Sequence, residues 1–147
     1  MCIRDRCPNN LGQALVTPYL EDGTLEHVCR ETLTPFYRSR ADFALSLLPE
    51  LFGEEIPWRV HKSEGAMFLW LWFEGLPITC QELYERCKAR GCFVNPGHHF
   101  FFALPEGREP WPHRHECIRI SFTQTEELLR KGLSIVADEV KRAYTHS

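Results

Sequence analysis

The pattern of this chain predicts an α+β domain. A small mixed or antiparallel sheet should carry helices on one side, with a long kinked helix ahead of it. Three observations point there. Apolar residues recur at three- and four-residue steps from Leu25 to Leu51, the stripe of an amphipathic helix. The runs 66–73 and 117–122 are short and apolar or strictly alternating, as strands are. A last stripe of Leu128, Leu129, Leu133, Val136 and Val140 marks a closing helix.

Taken in order, residues 8–23 hold Pro8, Gly12, Pro18 and Gly23 and read as an irregular lead-in with at most a short helix. Thr24 is a candidate N-cap for the long stripe. Pro35 lies inside it and must kink or split the helix, which should end between Pro49 and Gly53. "PWRVHK" reads as a short strand. "AMFLWLWF" is apolar on both alternating sets, which suits a central strand covered on both faces. "ITCQELYERCKARG" opens with Thr79-x-x-Glu82, a capping box, and closes on Gly91. "CFV" is a minimal strand before the long loop "NPGHHFFFALPEGREPWPHRH". "CIRISF" is the next strand, and Thr123-x-x-Glu126 is a second capping box for the last helix. Helix, strand, strand, helix, strand, loop, strand, helix gives an α+β layer.

The 147 residues, 44% hydrophobic and 25% charged, fit one domain or one domain with a connecting arm. A domain of this length buries roughly 70% of its unfolded surface, so no disulfide staple is needed. A net charge of −3 provides no basic footprint for nucleic acid. No run nears the ~18 apolar residues of a membrane span, and "MCIRDRCPNN" lacks the apolar core of a secretory signal. Residues 1–8 read as a non-native leader. Seven cysteines, an odd number, then read as reduced thiols of a cytoplasmic protein.

Chemistry concentrates around Arg119. It alternates with Ile118 and Ile120 on the strand face shared by Cys117 and Ser121, beside the loop of Pro96, Gly97 and Phe100. One reading is a surface arginine on an edge strand, paired with a glutamate. The other is a bidentate carboxylate receptor, since a guanidinium fork matches two carboxylate oxygens and a strand holds it rigidly. Cys92, His98, His99, His113, His115 and Cys117 raise a zinc alternative, because 113, 115 and 117 share one side of an extended chain. No Cys-x-x-Cys or His-x₃-His pair supports it, and Arg119 would set a fixed positive charge beside the dication. The expectation is therefore no metal. A non-catalytic interaction module, with the aromatic loop as its patch, is the other alternative.

"HKSEGAMFLWLWF", "NPGHHFF" and "PWPHRHECIRISF" together resemble the C-terminal part of valine–pyruvate aminotransferases, class I pyridoxal-phosphate (PLP) enzymes of the aspartate-aminotransferase type. The likeness runs from about residue 9 to 144. It implies that 9–53 is an inter-domain connecting region with the long kinked helix, and that 54–147 is the small C-terminal domain of a PLP-dependent transferase-like fold. It implies amino-group transfer between valine- or alanine-like amino acids and 2-oxo acids, with PLP as cofactor and a homodimer as the assembly. Arg119 takes the role of the α-carboxylate-binding arginine, and Pro96, Gly97 and Phe100 line the entrance. None of Lys62, Lys88, Lys131 and Lys141 sits in the motif that holds the family's Schiff-base lysine. No catalytic or cofactor-binding residue is therefore expected in the chain, which alone should be inactive.

Overall fold

The strand β2, Phe68–Phe73, organises the sheet. It pairs antiparallel with β1, Trp58–Val60, on one side and with β4, Cys117–Ser121, on the other. β3, Asn95–Pro96, adds to the far edge of β4, giving the order β1-β2-β4-β3. The structure, a computed structural model, describes residues 10–102 and 111–145, and the chain falls into two compact units, Met1–Phe36 and Tyr37–Ser147. The leader expected over 1–8 lies outside the described residues.

Period-two geometry splits β2 into two sets. Leu69, Leu71 and Phe73 are fully buried and join Ile118 and Phe122 of the β4 segment in one core. Against it pack α3 (Thr34–Phe52) through Ala44, Leu47, Leu48 and Phe52, and α5 (Glu126–Thr145) through Leu133, Val136 and Val140. α4, Cys80–Ala89, contributes Leu83 and Cys87. Phe68, Trp70 and Trp72 point the other way; aromatic side chains cover Trp70 and Trp72, while Phe68 stays exposed. That double covering is why "AMFLWLWF" shows no polar alternate.

Several local expectations meet their physical reasons here. The Thr79 hydroxyl accepts from the Glu82 amide, and Gly91 adopts φ +80° just past α4. A left-handed position there favours glycine. Pro35 does not break the long helix, because α2 (Thr24–Val28) runs through a π turn, Cys29–Leu33, directly into α3. In that turn the Thr34 amide reaches back to the Cys29 carbonyl, and the wider spacing absorbs the proline.

Four expectations need correction. Residues 10–21 form a regular helix, α1, around Pro18. The proline removes one hydrogen bond, while the Asp22 amide still closes on the Pro18 carbonyl at 3.0 Å. Thr24 is the first helical residue, not the cap, and its amide donates to the Asp22 carboxylate at 2.8 Å. "CFV" forms no strand, and pairing begins only at Asn95. The second capping box is not formed either. Thr125 accepts from the Leu128 amide at 3.4 Å, while Thr123 shares a hydrogen bond with Ser121.

One buried charge ties α4 to α5. Glu139 is 4% exposed and accepts from Arg90 at 2.8 Å and from Arg142 at 3.0 Å. Removing one partner of such a group leaves part of its desolvation uncompensated. Arg90→Ala should lower stability by about 1–3 kcal/mol, read from the urea midpoint. Arg59→Ala, which loses an exposed pair with Glu74 and a 5.5 Å contact with the Trp72 ring, should cost less, about 1 kcal/mol or below.

Two thiols give a pH signature. Burial pushes Cys87 and Cys117 up to about 12, from an ordinary value of 9.0. The folded state then holds protons that the unfolded state releases above pH 9, so stability is intact below that pH and is lost as pH rises toward 12. The urea midpoint should fall across this window, and the fall should be shallower in Cys87→Ala.

Candidate functional site

The side of the sheet away from the helices is an aromatic layer. Phe68, Trp70 and Trp72 of β2 lie across from Ser121, Arg119 and Cys117 of β4. Over them fold two short 3-10 turns, Gly97–Phe100 and Pro112–His115. Trp70 meets Phe100 edge-on at 5.5 Å between ring centroids, and Trp72 meets His113 at 4.8 Å. Phe101 and Trp111 meet edge-on at 5.3 Å. Such tilted and edge-on pairs stabilise the layer beyond their buried area.

Gly97 fixes how closely this layer sits. A Cβ there would stand 2.5 Å from the Cys117 carbonyl oxygen and 2.7 Å from its Cβ. Only glycine permits that approach. With Pro96 paired opposite Ile118, the turn is pinned to β4 and Phe100 is carried over Arg119.

Arg119 is half-buried between two rings. Its guanidinium carbon lies 4.2 Å from the Phe68 centroid and 4.3 Å from the Phe100 centroid. The edge-strand reading fails, since β4 lies between β2 and β3. No glutamate among the described residues pairs with it, whereas Arg59, Arg90 and Arg130 each reach a carboxylate. Its Nε is buried without a hydrogen-bond partner. Rings cannot accept the in-plane N–H bonds of a guanidinium, and a planar carboxylate fits its donor edge with two parallel hydrogen bonds.

Pro96, Gly97 and Phe100 are thus brought together with Arg119 by the structure. Phe68 was not legible as a site residue: it lies far back in sequence, and only the β2–β4 register sets it over the guanidinium. The extended His113, His115, Cys117 row does not form. Residues 112–115 coil into a turn, so Cys117 Sγ faces His113 at 3.6 Å while His115 groups with Cys80 and His98. Cys80 was passed over because it opens a helix far from the loop.

The described residues do not suit PLP. Lys62 and Lys88 are exposed and paired with Glu64 and Glu85, and Lys131 and Lys141 are exposed on α5. A Schiff-base lysine needs a partly desolvated seat, and none of these has one.

Replacing Gly97 tests the close approach. Gly97→Ala should cost about 1–3 kcal/mol by overpacking against backbone, measured as a lower urea midpoint. Gly65→Ala, where an added Cβ meets nothing within 4 Å, should be nearly neutral.

No family model matches the chain. Valine–pyruvate aminotransferase of Escherichia coli (strain K12) is 37% identical over 140 residues, covering 95% of this chain and 33% of that protein. The crystal structure of valine–pyruvate aminotransferase from Salmonella typhimurium LT2 superposes with a TM-score of 0.82 at 36% identity, over 92% of this chain and 34% of that one. A multiple substrate aminotransferase from Thermococcus profundus gives a TM-score of 0.76 at 31% identity, over 97% and 33%. The chain spans about a third of the length of the proteins it matches. No helix among the described residues is long and apolar enough to cross a membrane. Over nearly all of its own length, this chain is a homologue of one third of an aminotransferase of the valine–pyruvate kind.

Proposed function

We propose that this chain supplies the substrate-carboxylate clamp of a cytoplasmic, PLP-dependent, homodimeric aminotransferase that moves an amino group between valine- or alanine-like amino acids and 2-oxo acids. Arg119 is the clamp, and Pro96, Gly97 and Phe100 line the entrance to it. Residues 9–53 act as the connecting region and 54–147 as the small domain. The observation that carries this reading is the Arg119 guanidinium, within 4.2 and 4.3 Å of the Phe68 and Phe100 ring centroids, with its Nε buried and no carboxylate partner among the described residues.

The chemistry suits substrates of this class. Amino acids and 2-oxo acids differ at Cα but share the α-carboxylate, so one fixed guanidinium serves both halves of a transamination. PLP, when held by the whole enzyme, supplies the electron sink for the Cα–H bond. What this chain's residues do is orient the substrate, and orientation by a rigid clamp removes part of the barrier in advance. The interaction-module and zinc-domain alternatives lack comparable support from the relatives.

The test belongs in an aminotransferase-length protein containing this segment. Arg119→Lys keeps the charge and loses the fork, so one hydrogen bond to the carboxylate goes and the other is misaimed. A charge-assisted hydrogen bond is worth roughly 1.5–3 kcal/mol, so kcat/KM for amino and 2-oxo acids should fall about 10- to 150-fold. Arg119→Ala should fall further. Amines without a carboxylate should react equally poorly with parent and variants, which separates a lost clamp from unfolding. Near-parental kcat/KM in both variants would overturn the proposal.

A further inference from the structure

Behind the aromatic layer, three donors from three separate elements converge. Cys80 opens α4, His98 lies in the Gly97–Phe100 turn, and His115 ends the Pro112–His115 turn. Cys80 Sγ is 3.3 Å from His98 Nδ1, and one donor atom of each residue lies within 4.8 Å of the others. The two imidazoles stack at 5.9 Å with 29° between their planes. The other polar contact of the Cys80 thiol is a long one, 3.7 Å to the Arg114 carbonyl. Cys80 is fully buried.

Zinc bonds of ~2.3 Å to sulfur and ~2.0–2.1 Å to nitrogen, at tetrahedral angles, set donor atoms ~3.3–3.6 Å apart. The Cys80–His98 pair already meets that spacing, and the wider separation closes by rotating an imidazole. We propose that Cys80, His98 and His115 form a site for one thiophilic divalent cation, Zn²⁺ being the type, with the fourth position left to water. In the sequence, the missing Cys-x-x-Cys or His-x₃-His pair and the Arg119 charge argued against a metal. The third donor comes instead from α4, where spacing along the loop does not look.

The binding step balances simply. The Cys80 S–H bond breaks, its proton leaves to solvent, and the thiolate and two neutral imidazoles share the ion without electron transfer. His98 sits near His99, His115 and the Arg114 guanidinium. The same Arg114 charge opposes a dication, which makes the site weaker than a structural zinc. Cys80 belongs to the apolar core between sheet and helices, but the rest of that core is built from residues outside the site, so the ion adds to a core already assembled. Its effect is local. His98 and Phe100 share one four-residue turn, so the ion would lock in place the segment that stacks on Arg119. This site stands whether or not Arg119 binds a carboxylate.

The test uses the whole chain, stripped with chelator, dialysed and titrated with Co²⁺. The expected result is a thiolate-to-cobalt charge-transfer band that saturates at one equivalent, releases one proton per ion and is displaced by Zn²⁺. Cys80→Ser should abolish the band, with folding checked by circular dichroism. His115→Gln, at a half-buried and more tolerant position, should keep the band but need at least about tenfold more Co²⁺ to fill it. Cys92→Ser should change nothing. Absence of a band at one equivalent, a band that survives Cys80→Ser, a His115→Gln titration identical to the parent's, or a band lost in Cys92→Ser would each overturn the proposal.

Discussion

The register of β2 against β4 is the constraint on which the rest of this structure depends. It sets Trp70 opposite Arg119 and Leu71 opposite Ile118. Side chains alternate along a strand, so a slip of one residue would drive the guanidinium into the apolar core and bring Ile118 out beneath the loops. Nothing in either strand alone forbids that slip. What does so is the difference between the two coverings: three helices demand a wholly apolar face, and the aromatic turns accept a mixed one. Gly97 then adds a second lock, because its turn can press on the backbone at Cys117 only in this register.

The two faces also divide the work of the domain. The helix side holds Phe52, Phe73, Leu133 and Val136 at or below 1% exposure, and this is where stability resides. The opposite side is built from rings, histidines and thiols, whose ring pairs are edge-on, tilted or stacked. Edge contacts hold geometry while leaving polar atoms reachable, which a close-packed aliphatic layer would not. The proposed binding function therefore falls on the less tightly sealed side of the sheet.

Much of this was legible in the sequence, and the reasons are local. Alternation in 117–122 separated Arg119 from Ile118 and Phe122 without any partner strand. Thr79 and Gly91 marked α4 because capping acts within a few residues. Pro18 misled, since punctuation outweighed the helical spacing of Leu11, Leu15 and Tyr19 within α1. Thr123 misled because Ser121 competes for its hydroxyl and leaves Thr125 to cap α5. Phe68 over Arg119 and Cys80 beside His98 are long-range facts, created only when the sheet closes. No spacing rule within one segment reports them.

That closure also explains why Arg119 is suited to hold an anion. Taking an unpaired charge even partly out of water costs several kcal/mol, whereas each cation–π contact returns about 0.5–2. Two rings therefore offset only part of the cost and leave the guanidinium short of an anion. A glutamate in the same place would cancel the deficit and silence the site. With Phe68 and Phe100 holding the plane, the fork is already oriented before anything binds, so little side-chain entropy remains to be lost. Among the described residues the packing around Arg119 thus leaves its charge without a carboxylate, and under the proposed function the substrate's carboxylate supplies it.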